Sequence, residues 1–99
     1  MIHLKEENKF DELIKKPIVL VDFYATWCGP CQLLAPILEE VEKERPDLEI
    51  VIVDVDEFPS IARRFGIMSI PTVIVFKNGM QVKTSLGYIS KDEIKKLLD

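Results

Sequence analysis

Two short segments of apolar, mostly β-branched residues constrain the fold of this chain more than any other feature. Ile18–Phe23 and Ile50–Val55 are each apolar at every position but one, which is an aspartate. Such runs are typical of strands with both faces covered, as in a parallel sheet with helices on each side. The stretch between them has apolar residues at the spacing of one helix face, at Leu34, Ile37, Leu38 and Val41. The pattern predicts a right-handed βαβ unit.

The C-terminal half of the chain predicts an antiparallel hairpin. Thr72–Lys77 and Met80–Leu86 flank Asn78-Gly79, a dipeptide typical of a two-residue hairpin turn. A βαβ unit followed by a hairpin predicts an α/β fold. Its central mixed sheet would combine parallel and antiparallel strands, with helices on both faces.

Three further helices are predicted outside the βαβ unit. Phe10–Ile14 and Pro59–Phe65 have short helical patterns, and Ser90 and Glu93 have the spacing of a capping box that opens a last helix. No linker or repeat interrupts the 99 residues. We therefore expect one domain spanning residues 1–99.

Both cysteines of the chain lie in one pentapeptide, Trp27-Cys28-Gly29-Pro30-Cys31. On the first turn of a helix, this spacing brings two side chains within disulfide distance. A disulfide that closes so small a ring removes little conformational entropy from the unfolded chain. Such a bond is better suited to being formed and broken than to holding a fold together. The pair therefore indicates thiol–disulfide chemistry.

Cys28 is predicted to lie where the first buried strand has ended and the amphipathic helix begins. Unpaired N–H groups and the helix dipole stabilise an anion there, which lowers the pKa of a thiol and favours the attacking thiolate. Gly29 lets the backbone pass close to a partner chain, and Pro30 presets helical φ where no donor is needed. Cys31, one turn into the helix, is expected to be shielded and suited to resolving a mixed disulfide.

Two other interpretations of the cysteines are possible from these residues alone. They could be small buried hydrophobic residues, or they could be half of a zinc site. Zinc would need two further ligands, and the only other strong candidate is the single histidine, His3. Because no second Cys or His pair exists, we expect no metal.

Composition and charge argue against several other functions. A net charge of −4 does not resemble the basic surface of a nucleic-acid-binding protein. No apolar run reaches the roughly 18 residues needed to span a bilayer, and the N-terminal residues lack the apolar core of a signal peptide. We therefore expect a cytoplasmic, monomeric protein that binds neither nucleic acid nor membrane. In that compartment a Cys-x-x-Cys pair is more plausibly catalytic than structural.

Five motifs occur in an order that is specific when they are taken together. They are Val21-Asp22-Phe23, Trp27-Cys28-Gly29-Pro30-Cys31, Ile70-Pro71-Thr72, Lys77-Asn78-Gly79 and Gly87. In this order, over essentially the whole chain, they resemble the thioredoxin family. The resemblance implies the thioredoxin fold and dithiol–disulfide exchange with protein substrates.

The resemblance also implies a role for Asp22. In the family the matching aspartate lies beneath the cysteines and helps to remove the proton from the resolving thiol. An acid within a buried apolar strand is costly to ionise, so its pKa should rise toward neutrality, as a general base requires. The alternative is a structural polar residue near the end of a strand, with a hydrogen-bond partner.

A substrate surface around the cysteines is likewise implied. Pro71 matches a cis-proline beside the disulfide, and Ile70 would then offer backbone groups to an extended substrate segment. The alternative is a trans proline that begins an edge strand. The expected apolar patch, which would bind many partners loosely, comprises Trp27, Gly29, Pro30, Ile70, Pro71, Leu86, Gly87 and Tyr88.

Two positions depart from the pattern of many bacterial members. Ile52 stands where they have a lysine opposite the buried aspartate, so the pKa of Asp22 should be higher still. Tyr24 stands where they have a tryptophan, a change expected to alter packing beneath the site more than its chemistry.

We interpret the chain as a protein disulfide reductase and general electron donor for cell redox homeostasis. Cys28 would attack a substrate disulfide, and Cys31 would resolve the mixed disulfide with help from Asp22. A separate reductase would then reduce the protein, whose only expected cofactor is its own dithiol.

Two alternatives compete with this interpretation. Oxidants and isomerases with the same fold usually have a histidine before the second cysteine, whereas Gly29-Pro30 favours reduction. The second alternative is a binding module whose apolar patch matters more than its thiols.

Overall fold

A five-stranded mixed sheet forms the centre of the structure, a computed structural model that describes all of residues 1–99. The strands lie in the order β1-β3-β2-β4-β5. β1, β3 and β2 are mutually parallel, whereas β4 pairs antiparallel with both β2 and β5. Their bounds are β1 Ile2–His3, β2 Ile18–Tyr24, β3 Glu49–Asp54, β4 Thr72–Lys77 and β5 Met80–Leu86. The predicted α/β class and mixed sheet are confirmed.

Four helices cover the two faces of the sheet. They are α1 Phe10–Leu13, which follows a 3₁₀ turn, α2 Gly29–Glu44, α3 Pro59–Arg64 and α4 Lys91–Leu98. Side chains of α2 and α4 pack into one apolar cluster of 13 buried residues, and those of α1 and α3 pack into another of 12. No helix of the structure is both long and apolar enough to cross a membrane.

The alternation of β2 explains why its sequence is almost continuously apolar. Ile18 and Leu20 belong to the cluster beneath α2 and α4, whereas Val19, Val21 and Phe23 belong to the opposite cluster. Both faces are therefore buried, as the sequence predicted. The same alternation directs Asp22 toward the face that α2 covers.

Local signals placed the hairpin and the last helix correctly. Asn78 and Gly79 have φ values of 52° and 84°, the positive pair that a type I′ turn requires. The Ser90 hydroxyl accepts a hydrogen bond from the Glu93 N–H, and the Glu93 carboxylate accepts one from the Ser90 N–H. The capping box is therefore present.

Two features of the sheet differ from the sequence prediction. The strand predicted at 50–55 is Glu49–Asp54, one residue earlier. The two-residue β1 was not predicted, because it is too short to show a periodic pattern. It pairs with β3, with His3 opposite Ile52, so His3 belongs to the sheet.

Candidate active site

The two cysteines form a disulfide at the start of α2. Their Cα atoms are 5.3 Å apart, within the ordinary range for a disulfide. Cys28 has extended backbone geometry and is the N-cap of α2, and Pro30 lies in the first turn, where its missing N–H costs nothing. The predicted strand-to-helix junction is therefore where the redox pair lies.

Helix geometry distinguishes the two sulfur atoms, although exposure does not. Cys31 is 3% exposed, as expected for a shielded residue one turn into the helix, and Cys28 is buried as well, at 4%. The Cys31 N–H donates a hydrogen bond of 3.2 Å to Cys28 Sγ. In the reduced protein the same contact would stabilise negative charge on Cys28, because an N-cap sulfur faces the unpaired N–H groups of its helix.

Asp22 is buried among apolar side chains in the middle of the sheet. It lies opposite Ile52 on β3 and opposite Val73 on β4, and it is 3% exposed. Its Oδ1 atom has no hydrogen-bond partner. Burial alone raises the pKa of Asp22 to about 7, because the charged form is poorly solvated there.

Ile52 is the neighbour of Asp22 on β3. It is 5% exposed, and it lines a surface cavity of about 250 Å³ together with Tyr24, Asp54 and Glu57. A lysine at position 52 would place a cation beside the carboxyl, whereas isoleucine adds only apolar surface. The position of Ile52 opposite Asp22, which the family resemblance implied, is confirmed by the pairing of β2 with β3.

The loop before β4 packs beside the cysteines. The Ile70–Pro71 peptide bond is cis, and Ile70 packs against the small cluster that contains Cys28 and Cys31. Pro71 is buried rather than exposed, and its carbonyl accepts a hydrogen bond of 2.7 Å from the N–H of Gly87. The structure therefore brings two segments of the expected substrate surface together, with Pro71 lying beneath that surface.

The exposed part of the expected patch is apolar. Trp27, Leu86 and Tyr88 are 71%, 69% and 51% exposed, and Gly29 and Pro30 are exposed as well. Met68, in the same loop as Ile70, is 94% exposed and was not predicted. Large apolar side chains exposed in such a group mark an interaction surface.

Asp56 holds the indole of Trp27 in place and was also missed from the sequence. The Trp27 Nε1–H donates a hydrogen bond of 2.8 Å to Asp56 Oδ2. Asp56 itself lies in a turn in which Asp54 Oδ1 accepts hydrogen bonds from the N–H groups of Asp56 and Glu57. The available signal was that β2 and β3 are parallel, so the residues that follow them meet at one edge of the sheet.

Replacing Asp56 by alanine should release the indole. Asp56→Asn is the matched control, because its amide oxygen still accepts the Nε1–H hydrogen bond. As Trp27 is the only tryptophan, fluorescence anisotropy and the indole N–H chemical shift report on it directly. We expect greater side-chain mobility in Asp56→Ala than in Asp56→Asn. Unchanged anisotropy in Asp56→Ala would contradict a positioning role.

The structure therefore has a disulfide between Cys28 and Cys31 at the start of a helix that packs on a mixed sheet. Such a disulfide is the reactive group of a thiol–disulfide oxidoreductase. Comparison with known proteins specifies the class further. The thioredoxin family model matches residues 1–99. The thioredoxin of Chlamydia muridarum is 43% identical over 98 residues, which cover 99% of this chain and 96% of that protein.

Another bacterial sequence and a solved structure agree with this match. The thioredoxin of Bacillus subtilis is 44% identical over 94 residues, or 94% of this chain and 90% of that one. A structure of Plasmodium falciparum thioredoxin superimposes with a TM-score of 0.92 at 37% identity, covering 99% and 96% of the two chains. This chain belongs to the thioredoxin family.

Family membership together with the Cys28–Cys31 pair defines the activity. The protein is a protein disulfide reductase that acts by dithiol–disulfide exchange. Protein disulfides are its substrates, and a reductase returns it to the dithiol form.

Proposed function

We propose that Cys28 is the attacking thiolate and Cys31 the resolving thiol of this reductase. The observation that carries the assignment is the hydrogen bond from the Cys31 N–H to Cys28 Sγ at the start of α2. That contact stabilises a thiolate on Cys28 and none on Cys31. Attack on a substrate disulfide forms a bond between Cys28 and one substrate sulfur and releases the other as a thiolate.

Asp22 would accept the proton in the second step. The Cys31 thiol must lose its proton before its sulfur can attack Cys28 Sγ, re-form the intramolecular disulfide and release the second substrate thiolate. A carboxyl with a pKa of about 7 is half ionised near neutral pH, which suits a general base. Its burial on the face of the sheet beneath α2 supports this role.

The substrate surface would be the exposed apolar group beside the disulfide. Trp27, Leu86 and Tyr88 supply apolar area, and Gly29 and Pro30 allow close approach. Ile70 would present backbone groups to an extended segment of the substrate, beside Pro71 and Gly87, whose own backbone groups are hydrogen-bonded to each other. Such a surface suits loose binding of many partners.

The cellular setting that fits this chemistry is the cytoplasm. We propose a monomeric general electron donor there, with no cofactor beyond the Cys28–Cys31 dithiol and no affinity for nucleic acid or membrane. The acidic net charge and the use of both cysteines in one redox pair support this assignment.

Cys31→Ser should trap substrates as mixed disulfides. Without the resolving sulfur, the bond between Cys28 and the substrate persists, because the serine hydroxyl stays protonated at neutral pH and cannot form a disulfide. Incubation with cell extract followed by non-reducing electrophoresis and peptide mass mapping measures the adducts. The Cys28→Ser, Cys31→Ser double variant is the control and should form none. Adducts through any atom other than Cys28 Sγ would contradict the order of attack.

A further inference from the structure

The segments that surround the reactive disulfide carry charges of one sign only. Four segments surround it at the edge of the sheet: residues 25–33, 54–58, 66–71 and 86–90. None of them contains a lysine or an arginine. Their only charged residues are Asp54, Asp56 and Glu57, and the hydrogen bond from Trp27 places this acidic turn directly beside the apolar surface.

These three carboxylates differ from many others on the molecule because they form no ion pair. The ion pairs of the structure use Glu12, Glu42, Glu44, Glu49, Asp11 and Asp47. Glu57 is exposed, and its side chain makes no hydrogen bond. Lys5 lines the same surface cavity as Asp54 and Glu57 but forms no ion pair with either, and it follows β1, on the far side of β3 from the disulfide. The acidic turn is therefore available to a cation supplied by another molecule.

The apolar and acidic groups are arranged side by side. Trp27 directly precedes Cys28 and is hydrogen-bonded to Asp56, and Met68, Leu86 and Tyr88 are exposed apolar side chains on the other segments. A substrate segment that crosses the disulfide meets apolar area and, at its Trp27 side, negative charge. A lysine or arginine is complementary to that side, whereas an acidic segment meets repulsion.

We propose that this surface selects disulfides whose flanking residues combine an apolar side chain with lysine or arginine. The proposal rests on the proposed function of the cysteines and adds a charge preference to it. Exposed charges act mainly on the rate of encounter, so the preference should be strong at low ionic strength and weak at high ionic strength. Glu57 is the specificity-determining residue that the geometry singles out, since Asp56 is engaged with Trp27 and Asp54 with its own turn.

Two matched peptide disulfides test the preference. Both carry the same apolar residue beside the cysteine, and they differ only in lysine or glutamate at the flanking positions. The second-order rate constant for reduction by the dithiol protein is measured for each at about 10 mM and about 1 M ionic strength. We expect the basic peptide to react roughly three- to tenfold faster at low salt, with the advantage largely lost at high salt.

Two charge-reversal variants separate a local effect from one of net charge. Glu57→Lys should reduce the ratio of basic to acidic rates severalfold. Glu39→Lys makes the same charge change at an exposed, unpaired position about 15 Å along α2 from its start and should leave the ratio nearly unchanged. Comparing ratios between variants cancels the intrinsic reactivities of the two peptides.

The outcomes distinguish this inference from the proposed function. Equal rates for the two peptides at low salt, or equal effects of the two variants, would overturn the charge preference while leaving the reductase chemistry intact. Failure to reduce either peptide would instead count against the assigned roles of the cysteines.

Discussion

Cys28→Ser should abolish protein disulfide reduction, with a loss of at least about a thousandfold in rate. The hydroxyl of serine is not ionised near neutral pH and cannot form a disulfide, so neither step of the exchange can begin. The N–H groups at the helix start, which stabilise a Cys28 thiolate, cannot restore the lost rate in the serine variant, because serine forms no thiolate. Insulin reduction followed by turbidity, with the protein re-reduced chemically, measures the loss.

The fold of the Cys28→Ser variant should remain intact. The disulfide closes a ring of only four residues, for which the chain-entropy estimate is about 2 kcal/mol, and the two apolar clusters on the sheet are untouched. Circular dichroism and urea unfolding of the variant, compared with the reduced wild-type protein, provide the control. A folded Cys28→Ser protein that kept reductase activity would show that another group attacks.

Asp22→Asn should remove a large pH dependence of stability from the oxidised protein. The pKa of Asp22 is raised from 3.8 to about 7 by burial, so between these pH values the folded chain binds a proton that the unfolded chain has lost. The free energy of unfolding of the wild-type protein therefore falls as the pH rises through this window. The loss is about 1.4 kcal/mol per pH unit and approaches about 4 kcal/mol above pH 7.

Urea unfolding at pH 4 and pH 8.5 measures this effect. Because asparagine cannot ionise, Asp22→Asn should lack this component of the pH dependence and be more stable than the wild-type protein at pH 8.5. Glu39→Gln, which removes an exposed carboxyl on α2 that forms no ion pair, should retain the wild-type dependence. If the free energy of unfolding changed equally with pH in the wild-type protein and in Asp22→Asn, Asp22 would have to be solvated or paired with another group.

Ile52→Lys provides a second test of the same carboxyl. A cation introduced opposite Asp22 favours its charged form and lowers its pKa, so the loss of stability should begin to level off at lower pH.

In stopped-flow measurements of the second exchange step, Asp22→Asn should be slower than the wild-type protein near neutral pH. Unchanged resolution kinetics would demote Asp22 to a structural role.

Patterns confined to a few consecutive residues were predicted most accurately. The turn at Asn78-Gly79 and the capping box at Ser90 and Glu93 occur where the sequence placed them, because their geometry depends on local φ values and hydrogen bonds. The buried strands β2 and β3 were recognised because both of their faces are apolar. β1 was missed because two residues form a strand only through pairing with β3.

In the candidate site, too, the features set by consecutive residues were predicted and those set by distant segments were missed. The disulfide between Cys28 and Cys31 follows from their spacing at a helix start, which is local. Met68 and Asp56 were missed because their relation to the cysteines depends on which segments meet at one edge of the sheet. The roles assigned to Asp22 and to the substrate surface stay predictions that the variants above will test.

By itself, the sequence determined the class of fold, the redox pair and its place at the start of a helix, because backbone preferences and close spacing act over short distances. Only the tertiary structure decided the environment of that pair. The carboxyl of Asp22 is desolvated because β3 and β4 place Ile52 and Val73 on either side of it. The acidic turn faces Trp27 because β2 and β3 are parallel and end at the same edge. Both are contacts between residues distant in the chain, and burial and charge act through space rather than along the sequence.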